Sequence, residues 1–100
     1  MTLKQELASI DLQATEWGQI PDYSIDHLVR WADKKQIASS FYLAVLRRDY
    51  RLAELKADSF NRPQLSNIIT FIDKFLPAEC HGSADKVSAW ADEISKGVPT

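Results

Sequence analysis

The sequence predicts an all-α fold, a compact single-domain bundle of five or six short helices around a buried central helix. Three observations predict it. Apolar residues recur at helical steps of three and four along most of the chain, and no segment alternates for long as a half-buried strand would. The three Gly and four Pro fall almost entirely between these periodic stretches, as short helix connections require. Phe41 to Leu46 is apolar at all six positions, and a helix apolar on every side must be enclosed by other elements. One hundred residues suffice for one core, and 45% apolar with 26% charged residues is ordinary for a folded domain. The domain is read as residues 1–97, with 98–100 as a frayed C-terminal tail.

At the N-terminus, Thr2 and Gln5 have capping-box spacing. Leu3, Leu7, Ile10, Ala14 and Trp17 continue as one stripe, which predicts a first helix from Leu3 to Trp17, closed by Gly18 and Pro21. Ser24 or Asp22 can cap a second helix from Ile25 to about Lys35, with Ile25, Leu28, Val29 and Ala32 inward and Trp31 on the flank. Lys34 and Lys35 fall in its last turn, where positive charge complements the helix dipole.

Ser39 or Ser40 can cap the central helix. Arg47 and Arg48 suit its C-terminus, and Asp49 suits the N-cap of a new helix from Tyr50 to about Ser59. The charges therefore favour a break at Asp49, although no Gly or Pro prevents one continuous helix. Leu52, Ala53, Leu55 and Phe60 are the expected apolar contacts of the second segment. Asn61 can cap the next helix, with Pro63 near its start. Leu65, Ile68, Ile69, Ile72, Phe75 and Leu76 form its wide inner stripe, and Pro77 stops it. A loop then holds Glu79, Cys80 and His81. Ser83 caps a last helix from Ala84 to about Lys96, with Val87, Trp90, Ala91 and Ile94 inward.

The stretch from Phe41 to Pro63 resembles the inner turn of a tetratricopeptide-type hairpin. Asp49-Tyr50 stands at the turn, Ala53 at the small position of the second helix, and Phe60 and Pro63 beyond. The likeness covers under a quarter of the chain, has no second copy at a period of about 34 residues, and carries Arg48 where Gly is usual. It implies a helix hairpin and nothing about activity.

The net charge of −2 conceals a division. Residues 30–62 carry eight Lys or Arg against four acids, a local sum of +4, between acidic ends. Such a centre can meet an anionic partner or be neutralised by the chain's own acids. Lys34, Lys35, Arg47, Arg48 and Arg51, with Tyr42 or Tyr50 beside them, are the residues expected to share one patch. The candidate partner-binding set is Lys34, Lys35, Arg47, Arg48, Tyr50 and Arg51. Trp17, Trp31 and Trp90 either wedge helices together or serve an interface, where aromatic residues and Arg are enriched.

Nothing in the spacing points to chemistry. Glu79, Cys80 and His81 are consecutive, and neighbours in a loop seldom converge on one metal or form a nucleophile and base. Cys80 is expected to pack and His81 to be solvated, so that changing both would be neutral. There is no Gly-rich phosphate loop, and no metal, cofactor or catalytic residue is assigned. A lone Cys suits a reducing compartment, and the polar start lacks the apolar run of a signal peptide. The longest apolar run, six residues, is far below the roughly 20 that span a bilayer. The expected function is that of a cytoplasmic, non-catalytic protein-binding or regulatory module, an adaptor, inhibitor or immunity-type partner. A nucleic-acid-binding regulator using the basic centre is the alternative, and a small enzyme or metal-binding protein a further one. A helix-turn-helix over Ile25 to Leu46 fails because its second helix is too apolar to lie in a groove.

Overall fold

Asp33, just past the end of the second helix, accepts hydrogen bonds from the backbone N–H groups of Leu3 and Lys4 at 2.7 and 3.0 Å. That contact fixes the chain's start against its interior in the computed structural model, which describes residues 2–12, 15 and 17–97. The described residues form six α-helices: α1 (Leu3–Leu7), α2 (Asp22–Ala32), α3 (Ser40–Leu46), α4 (Tyr50–Lys56), α5 (Leu65–Phe75) and α6 (Ala84–Gly97). Short 3-10 turns at Arg62–Gln64 and Ala78–Cys80 precede α5 and α6, and no strand occurs among the described residues. The fold is all-α.

Thr2 and Gln5 form the reciprocal capping box. The helix that follows nevertheless ends at Leu7, far short of Trp17. The hydroxyls of Ser9 and Thr15 take the carbonyls of Glu6 and Leu12 at 2.9 and 2.8 Å, the local competition that unwinds a helix. Ile10 is consequently exposed, while Trp17 and Ile20 turn inward and are buried. Trp17 meets Phe71 and Phe75 edge-on, each at 5.8 Å. Ala14 and the expected tail 98–100 lie outside the described residues.

Helix α2 begins directly after Pro21, whose carbonyl accepts from Ser24 and Ile25. Ser24 is therefore inside the helix instead of capping it. Trp31 is wholly buried rather than on the flank. Its indole N–H donates to the Cys80 carbonyl at 3.0 Å, and the Trp90 indole donates to the Trp31 carbonyl at 2.7 Å. Two tryptophans thus tie α6, α2 and the loop before α6 together.

The centre of the core is α3, in which Phe41, Tyr42, Ala44, Val45 and Leu46 are buried. It breaks where the charges favoured. Asp49 accepts from the Leu52 N–H at 3.2 Å and caps α4, while the Asp49 N–H reaches back to the Ala44 carbonyl at 2.9 Å. The residue between, Arg48, is left-handed with φ 64°, and Lys34 occupies the same place after α2 with φ 59°. Both are positions that normally take Gly. On α5, Ile68, Phe71 and Ile72 are buried, and Phe71 lies outside the stripe read from the sequence. Cys80 is buried as a packing residue, but so is His81, which corrects its reading as a solvated loop residue. The backbone explains this, because the Gly82 N–H donates to the Leu46 carbonyl at 2.8 Å and pulls the loop onto α3.

Candidate protein-binding surface

Helix α4 packs against α3 through its small residues. Ala53 and Ala57 are buried and four apart, so they mark one face. At 100° per residue, Leu55 stands roughly 200° round from Ala53, and it is 74% exposed. Phe60, expected to pack with α4, is 70% exposed. Leu55 is outward because it stands on the side of α4 away from the alanine face.

Phe60 is held outward by a stitched turn. The Asp58 carboxylate accepts from the N–H groups of Phe60 and Asn61 at 3.0 and 2.7 Å and from the Tyr23 hydroxyl at 2.6 Å. These bonds hold the Asp58 carboxyl below its ordinary range, and the Tyr23 phenol is pushed up to about 12 chiefly by its bond to Asp58. Asn61 was expected to cap. Instead its carboxamide is buried and accepts from the Ser24 hydroxyl, which in turn takes the Tyr42 hydroxyl at 2.9 Å. The His27 ring stacks on Tyr42 at 4.8 Å and its Nδ1–H donates to the Tyr23 carbonyl. With Asn61 pinned inside, Phe60 must face out, and it lines an open depression with Ile20, Pro21, Tyr23 and Pro63. Next to Leu55, Arg51, Glu54 and Arg62 line a second depression.

The residues singled out from the sequence occupy several places. Lys34 pairs with Glu93 at 2.9 Å and lies over the Trp90 ring at 4.5 Å. Lys35 borders a depression beside Thr2, Lys4 and Asp33. Arg47 and Arg48 border another with Asp49, Leu52 and Ala84. Arg48 pairs loosely with Asp73 at 3.6 Å, and the buried Nε of Arg47 has no hydrogen-bond partner. Tyr50 is exposed beside Arg48, whereas Tyr42 is buried and cannot flank a patch. Arg51 meets Leu55 and Arg62. Trp17 and Trp31 are buried and Trp90 is partly covered, so all three serve the packing.

The groups with nucleophilic potential are subdued. Burial pushes the Cys80 thiol up to about 12, and burial also lowers the affinity of His81 for a proton. Among the described residues no three His, Cys, Asp or Glu converge as metal ligands, and no helix is long and apolar enough to cross a membrane. Leu55 and Phe60 were read as core contacts, and Arg62 and Tyr23 were not among the candidate site residues. The signal that could have revealed Leu55 was the Ala53/Ala57 pair, since a buried face made of alanines dictates which side of α4 is left over. No protein-family model, curated protein or solved structure matches the chain.

Proposed function

We propose that this chain is a non-catalytic protein-binding module whose contact surface is the free face of α4 and the turn after it. The observation that carries the reading is the exposure of Leu55, at 74%, beside Arg51 and Arg62, and of Phe60, at 70%, on the turn that follows. Large apolar side chains ringed by arginine are what the centres of protein interfaces are made of. The turn bearing Phe60 is held by three hydrogen bonds to the Asp58 carboxylate, which lowers the ordering cost of binding. The partner is a protein segment with a large apolar residue to enter the Phe60 depression and carboxylates to meet Arg51 and Arg62. The unpaired Cys80 suits a reducing, cytoplasmic setting.

The test is affinity capture from the source cell with the parent chain and with Leu55→Glu/Phe60→Glu, each with and without nuclease. Both changes are at exposed positions, and thermal unfolding of the double variant verifies the fold. A hot-spot loss of 2 kcal/mol or more corresponds to about 30-fold in affinity, so one stoichiometric, nuclease-resistant protein should be captured by the parent and lost by the variant. Retention of that protein by the double variant, or capture only where nucleic acid is intact, would overturn the reading.

A further inference from the structure

Helix α4 carries its charges in an order that works against the helix itself. Arg51 stands in the first turn and Glu54 in the last, whereas the helix dipole favours an acid at the start and a cation at the end. The two are also in the weaker orientation for a contact along one helix, with the cation N-terminal to the acid. They do not meet. Arg51, Glu54 and Arg62 line one depression with Leu55, and all four side chains are exposed. Among the described residues no carboxylate lies within ion-pair distance of either arginine, and no cation within that distance of Glu54.

The same order becomes favourable against an antiparallel copy. Along α4 the charges run plus then minus, and a second α4 laid alongside in the opposite direction runs minus then plus. With the two-fold axis level with the middle of the stretch from Arg51 to Glu54, each Glu54 comes opposite the other chain's Arg51, so one contact is made twice, as an isologous interface requires. Each cation then lies beside the last turn of the other helix and each acid beside the first, the placements its own helix denies it. At 100° per residue Leu55 stands about 40° from Arg51 and about 100° from Glu54, on one flank of this seam. A two-fold axis between side-by-side helices keeps that flank common to both, which brings the two Leu55 side chains together next to the ion pairs. A partner offering carboxylates alone would set them against Glu54, and one offering cations alone against Arg51 and Arg62. The chain's own face offers both signs in the required order, and a net charge of only −2 leaves little long-range repulsion between copies.

We propose that the partner of the α4 face is a second copy of this chain, joined through antiparallel α4 helices with the Arg51 to Glu54 contact made twice and Leu55 against Leu55. The inference rests on the reading of α4 as a contact surface and names its occupant, since Leu55 supplies the large apolar side chain and Glu54 the carboxylate that such a partner needs. An interface at the lower end of the specific range takes about 600 Å² per partner, roughly a tenth of this chain's 6126 Å² of surface. One short helix with its turn supplies no more, so the association is reversible and concentration-dependent.

The experiment is sedimentation equilibrium of the full chain over a concentration series at neutral pH, for the parent, Glu54→Arg, Arg51→Glu and an equimolar mixture of these two variants. Both changes are at exposed positions, and thermal melts verify that each variant folds. The parent should move with concentration from 11.4 kDa toward twice that mass. Each variant alone sets like charges opposite one another and should dissociate at least about tenfold more readily. The mixture restores both contacts and should associate as well as the parent, a rescue that damage to the fold cannot produce. A parent that stays monomeric throughout, a dimer indifferent to both charge reversals, or variants that stay monomeric when mixed would overturn the inference. Its failure is distinguishable from failure of the α4 reading by affinity capture. A different protein, held by the parent and lost by Leu55→Glu/Phe60→Glu, overturns self-association and leaves the α4 reading standing, whereas untagged copies of this chain, held by the parent and lost by the same variant, support both.

Discussion

Replacing Arg48 by Gly and by Ala reads out the left-handed turn that separates α3 from α4. In an ordinary helical position Ala is more stable than Gly by about 1 kcal/mol. At φ 64° the order must reverse, because Ala keeps the clash of its Cβ with the following carbonyl, about 1 to 2 kcal/mol, and Gly has none. Both variants lose the 3.6 Å pair with Asp73, whose side chains are half exposed, 54% and 50%, so that loss is worth about 0.5 kcal/mol at most. Arg48→Ala should thus lie slightly below the parent. Arg48→Gly should exceed Arg48→Ala by about 1 kcal/mol after the greater entropy of unfolded Gly is deducted. Lys34, with φ 59°, should behave alike. Its variants additionally lose the Glu93 pair and the contact with the Trp90 ring, so both start lower, by about 1 kcal/mol. Urea denaturation gives the differences, and a 1 kcal/mol gap corresponds to about 4 °C or more in Tm for a domain of this size. Ala variants as stable as the Gly variants at both positions would refute the left-handed assignment.

Asn61→Ala should cost about 2 kcal/mol in urea denaturation, because it leaves the buried Ser24 hydroxyl, which the Tyr42 hydroxyl joins, without its acceptor. Trp90→Phe keeps the ring but deletes the N–H bond to the Trp31 carbonyl, and should cost about 1 kcal/mol by the same measurement. His81 is buried with its proton affinity lowered by desolvation, so the folded state holds the neutral ring and binds fewer protons than the unfolded chain, whose ordinary value is 6.5. Stability from this group is full above 6.5 and is lost as pH falls through the lowered folded value; His81→Gln should flatten that acid-side slope in a series of melts. Ala44→Asp puts a charge at a fully buried position and should abolish the cooperative thermal transition, since the penalty of several kcal/mol approaches a domain's ~5 to 15 kcal/mol of stability.

The parts of the fold that were legible are those decided by local chemistry. Six apolar residues in a row could only be a core helix, and Asp49 marked a helix start because its carboxylate has one good use there, on the Leu52 N–H. Where a long-range contact decides, the local reading failed. The Leu3 to Trp17 stripe promised one helix, but Ser9 and Thr15 had hydroxyls able to take carbonyls, and packing of Trp17 on Phe71 and Phe75 outweighed continuation. Ser24 and Asn61 looked like caps, yet their best partners were each other, 37 residues apart. His81 looked solvated because nothing in its neighbours announces the Gly82 to Leu46 bond that buries it. Among the candidate site residues, Arg47, Arg48 and Arg51 were noticed for their charge. The apolar residues that complete the surface were assigned to the core, because a Leu or Phe near a helix is counted as core unless the small face of that helix is identified first.

The departures from local preference are not scattered. Arg48 in a glycine conformation, the unpartnered Arg47 Nε, and Leu55 and Phe60 in solvent all lie within 14 residues of the α3–α4 hairpin and the turn after it. Sequences under selection for folding alone tend to remove such conflicts, and those that persist concentrate at functional sites. Gly at position 48 would relieve the turn, and a polar residue at 55 or 60 would keep the surface soluble at no cost to a core that neither residue enters. The left-handed cation after α2 makes the useful contrast. Lys34 has an internal reason for its identity, since its ammonium joins α2 to Glu93 and Trp90 of α6. Arg48 has only a loose pair with Asp73, and Leu55 and Phe60 have no internal reason at all. The proposed partner for the free face of α4 would give Leu55 and Phe60 such a reason.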